Sequence, residues 1–349
     1  MLDPLGLFEY RVALHVHSRY SDGTGTPERI IAEARRVGLD VLWLTDHDGR
    51  RAATDPGSGY YGHLLFLVGA EITPPTNHYL VFGEVALVAP TAPLQTIIDS
   101  VNRQHGAGFI AHPDDPGNKT ARLPSYRWDD RSVDGFTGLE VWNHLSDWAR
   151  QIHHVPAGLW AALHPFSGLS QACPETLALW DERGRQRRIV GIGGTDAHAA
   201  RIGYWPFSLT IFPYRRSFAA IRTHIYTNAP LASDWRRAEQ QLLDGLLQGR
   251  VAIVNAALGS ETGFRLWLQR ESGAAEPMGT DVAYDSMWIL RGLSPVPVGW
   301  EVFCNGRLVF RQDGPLLHYN PDSPGVWRVV LRRGPKRAVW IYSNPIYLR

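Results

Sequence analysis

The sequence predicts an α/β fold with parallel strands, followed by a smaller β-rich C-terminal domain. Over the first two thirds of the 349 residues, apolar β-rich runs alternate with helical patterns. Six of the predicted strands run into His, Asp or Glu, as expected at the carboxyl edge of a parallel sheet. Beyond residue 230 the pattern changes to short strands separated by Gly, Pro and Asn. We therefore predict two domains, residues 1–230 and 231–349.

The elements of the N-terminal domain are predicted from apolar periodicity and capping residues. The first strand is expected at Tyr10–His15, and the first helix at Pro27–Val37 with Thr26 as its N-cap. Gly38 is expected to end this helix. Further strands are predicted at Asp40–Leu44, Leu64–Val68, Tyr79–Leu87, Gly108–Ala111, Gly138–Val141 and Ile189–Ile192, with helices at Leu94–His105 and Glu175–Gly184.

The C-terminal domain is predicted to begin with a helix, Asp234–Leu247, that ends at Gly249. Segments such as RLWLQ and WRVVLR alternate apolar and polar residues, which is typical of half-buried strands in a small sandwich. The predicted strands are Gly263–Gln269, Trp288–Arg291, Trp300–Val302, Gly325–Arg332 and Ala338–Tyr342.

The composition indicates a globular protein without a strongly charged partner. Lys and Arg total 35 against 34 acidic residues, a net charge of +1, so neither nucleic acid nor a membrane surface is expected as the main partner. Cys173 and Cys304 have no CxxC spacing, which argues against a thiolate zinc site. No signal peptide and no membrane-spanning run is visible, so we expect a cytoplasmic protein. The oligomeric state is not predicted.

Side chains that bind metals follow the predicted strands. His15 and His17 flank Val16, and residues two apart on a strand point to the same face, so both imidazoles can reach one ion. Asp22 follows in a Ser-Asp-Gly turn. The later strands run into the segments Thr45-Asp46-His47-Asp48, Gly69-Ala70-Glu71, Ala111-His112-Pro113, Glu140 to Asn143, and Gly194-Thr195-Asp196-Ala197-His198.

Imidazole and carboxylate ligands without thiolates favour Zn, Mn or Fe. The number of ligands exceeds what one ion needs, so two or three divalent ions are expected, with a metal-bridged hydroxide as the nucleophile. This agrees with the absence of a recognisable Ser–His–Asp or Cys–His signature in the sequence.

The motifs together resemble those of the PHP (polymerase and histidinol phosphatase) domain family. They occur in the order HVHSRYSDG, LTDHD, GAE, AHP and GGTDAH and span about residues 11–200. The resemblance implies a distorted seven-stranded β/α barrel, a (β/α)7 fold, with a two- or three-metal centre at the strand ends. The family includes phosphoesterases and the exonuclease modules of bacterial polymerases.

A closer resemblance is to the CehA/McbA-like branch of PHP metallohydrolases. In that branch the glutamate motif is followed by a histidine, here Glu71 and His78. Its members carry a β-rich C-terminal region with a Ser-Asn-Pro-Ile sequence, which stands here at 343–346.

The resemblance implies a ligand set for each ion. His15, His17, Glu71 and Asp196 would surround one ion, and Asp22, His47 and His198 a second. Glu71 and His112 would begin a third site. Its remaining ligand would follow a later strand, where Asn143, His144 and His164 are the candidates.

Other residues are predicted to support the site or to contact substrate. Asp46 is expected to orient His47 or to cap its loop, and Glu140 to support a ligand or serve the structure. His78 and Arg201 are possible substrate contacts, the latter through its planar guanidinium. Four tryptophans could line a pocket mouth and favour an aromatic substrate: Trp128, Trp148, Trp160 and Trp205.

We predict a metal-dependent hydrolase that acts on a phosphoester of a small, anionic molecule. The alternative on the same metal centre is hydrolysis of an amide, ester or carbamate. Convergent arginines would favour a phosphate substrate, and an apolar slot would favour a neutral carbonyl substrate. An alternative of another class is a PHP module that binds or regulates without catalysis.

Overall fold

The fold is seen in a computed structural model of the chain. It describes residues 5–120, 123–154, 156–157, 160, 164, 166, 168–202, 209–259 and 262–349. Within this part of the chain, no helix is both long and apolar enough to cross a membrane.

The N-terminal strands form one half of the α/β region. In chain order the elements are β1 (Phe8–Ala13), α1 (Pro27–Arg36), β2 (Val41–Leu44), a 3₁₀ turn (Arg51–Ala53), β3 (Gly59–Tyr61) and β4 (Leu64–Val68). Strands β1, β2 and β4 are parallel neighbours, and β3 pairs antiparallel with β4. The capping prediction for α1 is confirmed, because the Thr26 side chain accepts a hydrogen bond from the Arg29 amide.

The second half is a separate five-stranded sheet. Its elements are β5 (Ala70–Ile72), β6 (Tyr79–Phe82), α2 (Leu94–Arg103), β7 (Ala107–Ile110), β8 (Gly138–Asn143), α3 (His144–Arg150), α4 (Pro174–Gly184) and β9 (Val190–Gly194). The prediction of parallel strands is confirmed for β7, β8 and β9 but is wrong for β5, β6 and β7, which run antiparallel. Only 73–78 separate β5 from β6, and a parallel crossover needs a longer connection.

The two halves meet at isolated bridges at the strand ends. Val16 pairs with Ala197, and His47 pairs with Glu71, both in parallel orientation. The α/β architecture is thus as predicted. Among the described residues, however, the strands form open sheets whose hydrogen bonding does not close a ring, and the seven-stranded barrel stays a prediction.

The chain then returns to the first sheet. A short hairpin, β10 (Arg201–Ile202) and β11 (Leu209–Thr210), precedes α5 (Tyr214–Ser217), β12 (Ile221–Thr227), α6 (Trp235–Leu247) and β13 (Val251–Asn255). Strand β12 lies antiparallel between β1 and β13. Helix α6 contributes Leu242, Leu243 and Leu246 to a cluster that includes Val12 and Val190.

The C-terminal strands extend the same sheet. They are β14 (Arg265–Gln269), β15 (Ala275–Pro277), β16 (Asp281–Val282), β17 (Ile289–Cys304), β18 (Arg307–Tyr319), β19 (Gly325–Arg333), β20 (Ala338–Ser343) and β21 (Ile346–Leu348). Strand β20 pairs with β13, so hydrogen bonding is continuous from β1 into the C-terminal region. The domain boundary at 230/231 stays a prediction, because this sheet runs across it.

Strand β17 joins two strands that the sequence predicts as separate, at 288–291 and 300–302. Its pairing with β18 shifts register between Leu293 and Val298, where Pro295 and Pro297 lack an amide hydrogen for the ladder. The prolines therefore produce a bulge and do not end the strand.

The Ser-Asn-Pro-Ile segment fastens the two sheets together. Asn344 Oδ1 accepts a hydrogen bond from the Gly191 amide at 2.7 Å, and its Nδ2 donates to the Gly191 and Val251 carbonyls at 2.8 and 2.9 Å. Ser343 Oγ accepts from the Val329 amide at 2.8 Å. The segment thus joins β9 of the five-stranded sheet to β13 and β19 of the larger sheet.

Candidate metal centre

The predicted ligands converge at the strand ends. His15 and His17 follow β1, which ends at Ala13 and so stops short of the predicted His15. His47 follows β2, and Glu71 lies within β5. Their potential ligand atoms form three overlapping groups, and within each group all of these atoms lie within 4.8 Å of one another. The groups are His17, Asp22, His47 and His198; His15, His17 and Asp196; and His15, Glu71 and His112.

One group brings two buried histidines together with two carboxylates. His15 Nε2 lies 3.2 Å from Glu71 Oε2 and 3.4 Å from Asp196 Oδ1. His17 Nε2 lies 3.3 Å from each of the same two oxygens. This is the set that the family resemblance implies for one ion.

The second group opens towards solvent. Asp22 Oδ1 lies 3.1 Å from His198 Nε2, and its Oδ2 lies 3.4 Å from His47 Nε2. The Asp22 side chain is 56 % exposed, whereas those of His15 and His17 are fully buried. An ion held here would be more accessible than one held by His15 and His17.

The third group contains Glu71 and His112, with His78 beside them. Glu71 Oε1 lies 3.2 Å from His112 Nε2 and 3.0 Å from His78 Nδ1. The three residues predicted as candidates for the remaining ligand of this site make other contacts. Asn143 caps α3, His144 packs against the Phe212 ring at 4.8 Å, and the exposed His164 stacks on Trp160 at 3.7 Å.

The ring nitrogens of this cluster fit a metal better than a hydrogen-bond network. His15 Nε2, His17 Nε2 and His47 Nδ1 are buried and make no hydrogen bond, although carboxylate oxygens lie 3.2–3.4 Å away. Buried polar atoms are normally paired, and a bound cation would give these nitrogens a partner. Imidazole nitrogens and carboxylate oxygens that face a common point are the donor set of Zn, Mn and Fe sites.

Electrostatics keep the carboxylates ionised. Burial alone would raise the pKa of Glu71, but the charge on His15 and the hydrogen bond with His112 hold it well below its ordinary value. Burial would likewise raise the pKa of Asp196 and of Asp22, but the nearby histidines outweigh burial and lower both pKa values. Ionised carboxylates are the form that binds cations.

The histidines show the opposite shift. Burial lowers the pKa of His47, but the neighbouring carboxylates of Asp22 and Glu71 raise it to about 10. For His112, the hydrogen bond and charge of Glu71 overcome burial and raise the pKa to about 9. Without a cation, protons therefore occupy the positions that a metal would take.

Glu140 and Asp46 support the predicted ligands or their loops through hydrogen bonds. Glu140 Oε1 lies 2.9 Å from His15 Nδ1, and its Oε2 accepts hydrogen bonds from the His112 amide and Asn143 Nδ2, each at 2.9 Å. A carboxylate on the second ring nitrogen fixes the orientation of an imidazole ligand. Asp46 accepts hydrogen bonds from the Ser18 amide and hydroxyl, which favours the loop-capping alternative for this residue.

Tyr214 also braces the centre, and the sequence carries no signal for it. Its hydroxyl oxygen lies 2.8 Å from the His17 carbonyl oxygen and 3.1 Å from that of His198. Tyr214 begins α5, nearly 200 residues from His17 in the chain, so only the tertiary fold brings them together.

Three ligand residues adopt left-handed backbone conformations. The φ angles are 61° at His15, 25° at His112 and 51° at Asp196. Such angles are uncommon for residues other than glycine, and they concentrate at functional sites where surrounding structure enforces them. Here the bends turn the side chains away from their strands and into the cluster.

A cavity of about 360 Å³ opens onto the centre. Its lining includes the predicted ligands Asp22, His47 and His198, together with His78 and Tyr126. Apolar side chains form another part of the lining. No Lys or Arg belongs to the lining among the residues that the structure describes.

The predicted substrate contacts do not all line the cavity among the described residues. His78 and Trp148 line the cavity. Arg201 is exposed on β10 and is not among the described lining residues, so its role stays a prediction. Trp128 is buried beside Tyr79, Trp160 is exposed, and Trp205 lies outside the described residues.

Comparison with known families agrees with the motifs. Residues 13–127 match the family model of the PHP domain. This chain contains a PHP domain. The matched region includes the ligands from His15 to His112, whereas Asp196 and His198 lie beyond it. The finer resemblance to the CehA/McbA-like branch stays a prediction.

Curated relatives share only a short region with this PHP-domain protein. An error-prone DNA polymerase of Mycobacterium bovis is 60 % identical over 81 residues, which are 23 % of this chain and 6 % of the polymerase. An error-prone DNA polymerase of Nocardia farcinica is 42 % identical over 84 residues, with the same coverage of 23 % and 6 %.

The solved structures that align with this chain are distant in sequence. A two-domain protein of Bacteroides vulgatus, described as containing a predicted PHP-like metal-dependent phosphoesterase, aligns over 98 % of this chain and 96 % of its own, with 14 % identity and a TM-score of 0.48. An amidohydrolase of Chromobacterium violaceum with bound sulfate and no metal aligns over 58 % of this chain and 92 % of its own, with 17 % identity and a TM-score of 0.31.

Proposed function

We propose that this PHP-domain protein is a metal-dependent hydrolase acting on a phosphoester of a small molecule. The observation that carries the proposal is the position of Glu71 between two sets of histidines. Its Oε2 faces His15, His17 and His47, and its Oε1 faces His78 and His112. A carboxylate with both oxygens surrounded in this way suits a centre of two or three divalent ions.

Bound Zn, Mn or Fe ions would supply Lewis-acid catalysis and lower the pKa of a water molecule. The protein residues hold that centre rigidly: Glu140 orients His15, and Tyr214 braces the loops of His17 and His198. The left-handed backbone at Asp196 directs its carboxylate towards His15 and His17. Such preorganisation is what electrostatic catalysis requires.

The serines in the cavity are engaged elsewhere. Ser146 donates its hydroxyl to Asp115 at 3.2 Å, and Ser217 donates to the Phe212 carbonyl at 3.3 Å. Neither described serine contacts a histidine that could take its proton, which is the arrangement a serine nucleophile needs. Water is therefore the proposed nucleophile.

A second candidate is hydrolysis of an ester, amide or carbamate by the same centre. The apolar wall of the cavity, and the lack of Lys or Arg among its described lining residues, favour this alternative. The phosphoester proposal relies instead on the ions to neutralise the phosphoryl oxygens. Arg201 at the surface remains a further proposed contact for an anionic substrate.

The test is hydrolysis by protein loaded separately with Mn, Zn and Fe. Phosphate monoesters, phosphate diesters, carboxylic esters and carbamates are compared, alongside a His15→Ala/His17→Ala double variant and the exposed control His63→Ala. Turnover of phosphoesters that the double variant loses and the control retains is the expected result. Turnover confined to carbonyl substrates would select the second candidate, and no turnover by metal-replete protein would overturn both.

A further inference from the structure

We propose that the substrate carries an uncharged, flat apolar group, which packs against an apolar wall of the cavity that the predicted metal ligands also line. This rests on the proposed function in one respect, namely that the ligand cluster holds the reacting group. The wall is formed by six residues, which we call the apolar wall: Leu123, Leu145, Trp148, Ala149, Ile211 and Phe212.

The apolar wall is a packed surface built from Leu123 and two further segments. Helix α3 supplies Leu145, Trp148 and Ala149, and the residues after β11 supply Ile211 and Phe212. The Trp148 and Phe212 rings meet edge to face with centroids 5.0 Å apart, and each residue is only 5 % exposed. These side chains form a cluster separate from the main cores. Edge-to-face packing holds both rings in place and leaves the wall preformed.

The wall and the ligands bound one continuous cavity. Asp196, His198 and Phe212 all line the same space. Its volume of about 360 Å³ lies at the lower end of the range for small-molecule sites, which suits a reacting group with a single attached ring. A group bound to the ions would therefore place its substituent against the wall.

The charges of the lining argue against a charged substituent. Apart from the predicted ligands and His78, the described lining contains one charged side chain, that of Asp115. Its carboxylate accepts hydrogen bonds from the Tyr126 amide and the Ser146 hydroxyl. An anionic substituent would lose its hydration against the apolar wall without a described cation to replace it. An apolar substituent gains from the same transfer.

The first experiment compares two phosphonates that share one anionic group. Phenylphosphonate and methylphosphonate are titrated into Mn-loaded protein by calorimetry, which reports binding without turnover. We expect phenylphosphonate to bind at least 10-fold more tightly. In Leu145→Arg the preference should fall towards unity, and phosphonoacetate, which adds a carboxylate, should bind more tightly than to the wild type. Leu308→Arg, on exposed β18, is the matched control and should keep the wild-type ratio.

The outcomes separate this inference from the proposed function. Equal affinities for the two phosphonates, in protein that hydrolyses phosphoesters, overturn the apolar substituent and leave the proposed function intact. If neither phosphonate binds, the comparison is hydrolysis of benzyl acetate against methyl acetate, whose leaving alcohols have similar acidity. A preference for the benzyl ester there supports the inference, and equal or absent rates overturn it. Should Leu145→Arg lose metal, Ile211→Ala, which only shortens the wall, replaces it and is expected to lower the same ratio.

Discussion

At the scale of single residues, Glu71 determines how the centre is organised. Its side chain is 1 % exposed, and five imidazoles lie within 3.3 Å of its two oxygens. A buried carboxylate is costly unless positive charge or hydrogen bonds surround it. Protonated histidines meet this need in the absence of metal, and cations would meet it in their presence.

Replacing this charge should remove the metals. Glu71→Gln keeps the size of the side chain but removes the negative charge that the surrounding histidines face. We expect metal content, measured by mass spectrometry after dialysis, to fall to near zero and activity to fall at least ~100-fold, since even residues that only orient ligands contribute 10–100-fold. The exposed His63→Gln serves as control. Full metal content in Glu71→Gln would contradict the ligand role.

The raised histidine pKa values predict that metal binding releases protons. His47 titrates near 10 and His112 near 9, so both are protonated at pH 7.5 in metal-free protein. A metal ligand must be deprotonated, so affinity should rise as the pH increases towards these values. Calorimetry in buffers of different ionisation enthalpy should report a net proton release at pH 7.5. Heats that are independent of the buffer would refute the prediction.

At the scale of elements, the candidate ligands meet because strands of both sheets end at the cluster. Strand β9 delivers Asp196 and His198 beside the histidines after β1, and the Val16–Ala197 bridge fixes the two segments together. Close approach also demands glycine. A Cβ on Gly194 would lie 2.0 Å from Glu140 Oε1 and 2.9 Å from His15 Cβ.

Gly194→Ala should therefore disturb the metal centre indirectly, through Glu140. The added methyl displaces Glu140, which then no longer orients His15. We expect a loss of metal affinity of about 10- to 100-fold, measured by competition with a chelating dye. Gly184→Ala is the control, because its nearest atom, Val326 Cγ1, is 3.6 Å away. Unchanged affinity in Gly194→Ala would show that β9 can shift without cost.

Helix α6 predicts a pH dependence of stability. Glu239 is 4 % exposed, and burial raises its pKa from 4.5 to about 7 despite the nearby Arg50. The native state therefore holds a proton that the unfolded chain releases. The stabilising contribution is complete below pH 4.5 and is lost as the pH rises through 7.

Between pH 5 and 8, we expect the free energy of unfolding of the wild type to fall by about 2 kcal/mol because Glu239 loses its proton. The Glu239→Gln variant should not show this fall. Urea unfolding at each pH measures it. Asp244→Asn, on the exposed side of the same helix, should follow the wild-type profile. Parallel pH profiles for wild type and Glu239→Gln would argue against a buried, protonated Glu239.

At the scale of the whole molecule, the two predicted domains share a sheet and a core. Strand β13 pairs with β12 on one side and with β20 on the other. One apolar cluster contains Ile110 and Leu139 of the five-stranded sheet together with Val330 and Tyr342 of the C-terminal strands. Asn344 adds hydrogen bonds between the same parts.

The fragment 1–230 should therefore fail to fold on its own. It lacks α6, whose buried leucines 242, 243 and 246 alone contribute on the order of 6 kcal/mol, comparable to the total stability of a domain. We expect the fragment to aggregate or to unfold without a cooperative transition in circular dichroism, whereas the full chain unfolds in one calorimetric transition. A soluble, metal-binding 1–230 fragment would instead support the predicted boundary.

The sequence by itself determined the candidate ligands and the α/β architecture. His, Asp and Glu at strand ends, in a characteristic order, identify eight residues that the structure brings into three overlapping groups. Periodicity also located α1, including its cap, because these signals are local in the chain. Local signals depend on residues within a few positions of each other, and no tertiary contact is needed to interpret them.

Only the tertiary structure decided the features that depend on distant pairs of residues. The antiparallel pairing of β6 with β7, the continuity of the sheet across residue 230 and the bracing by Tyr214 all depend on such pairs. The apolar wall likewise joins α3 to residues after β11. Packing brings these groups together, and packing is a property of the folded chain that no local pattern encodes.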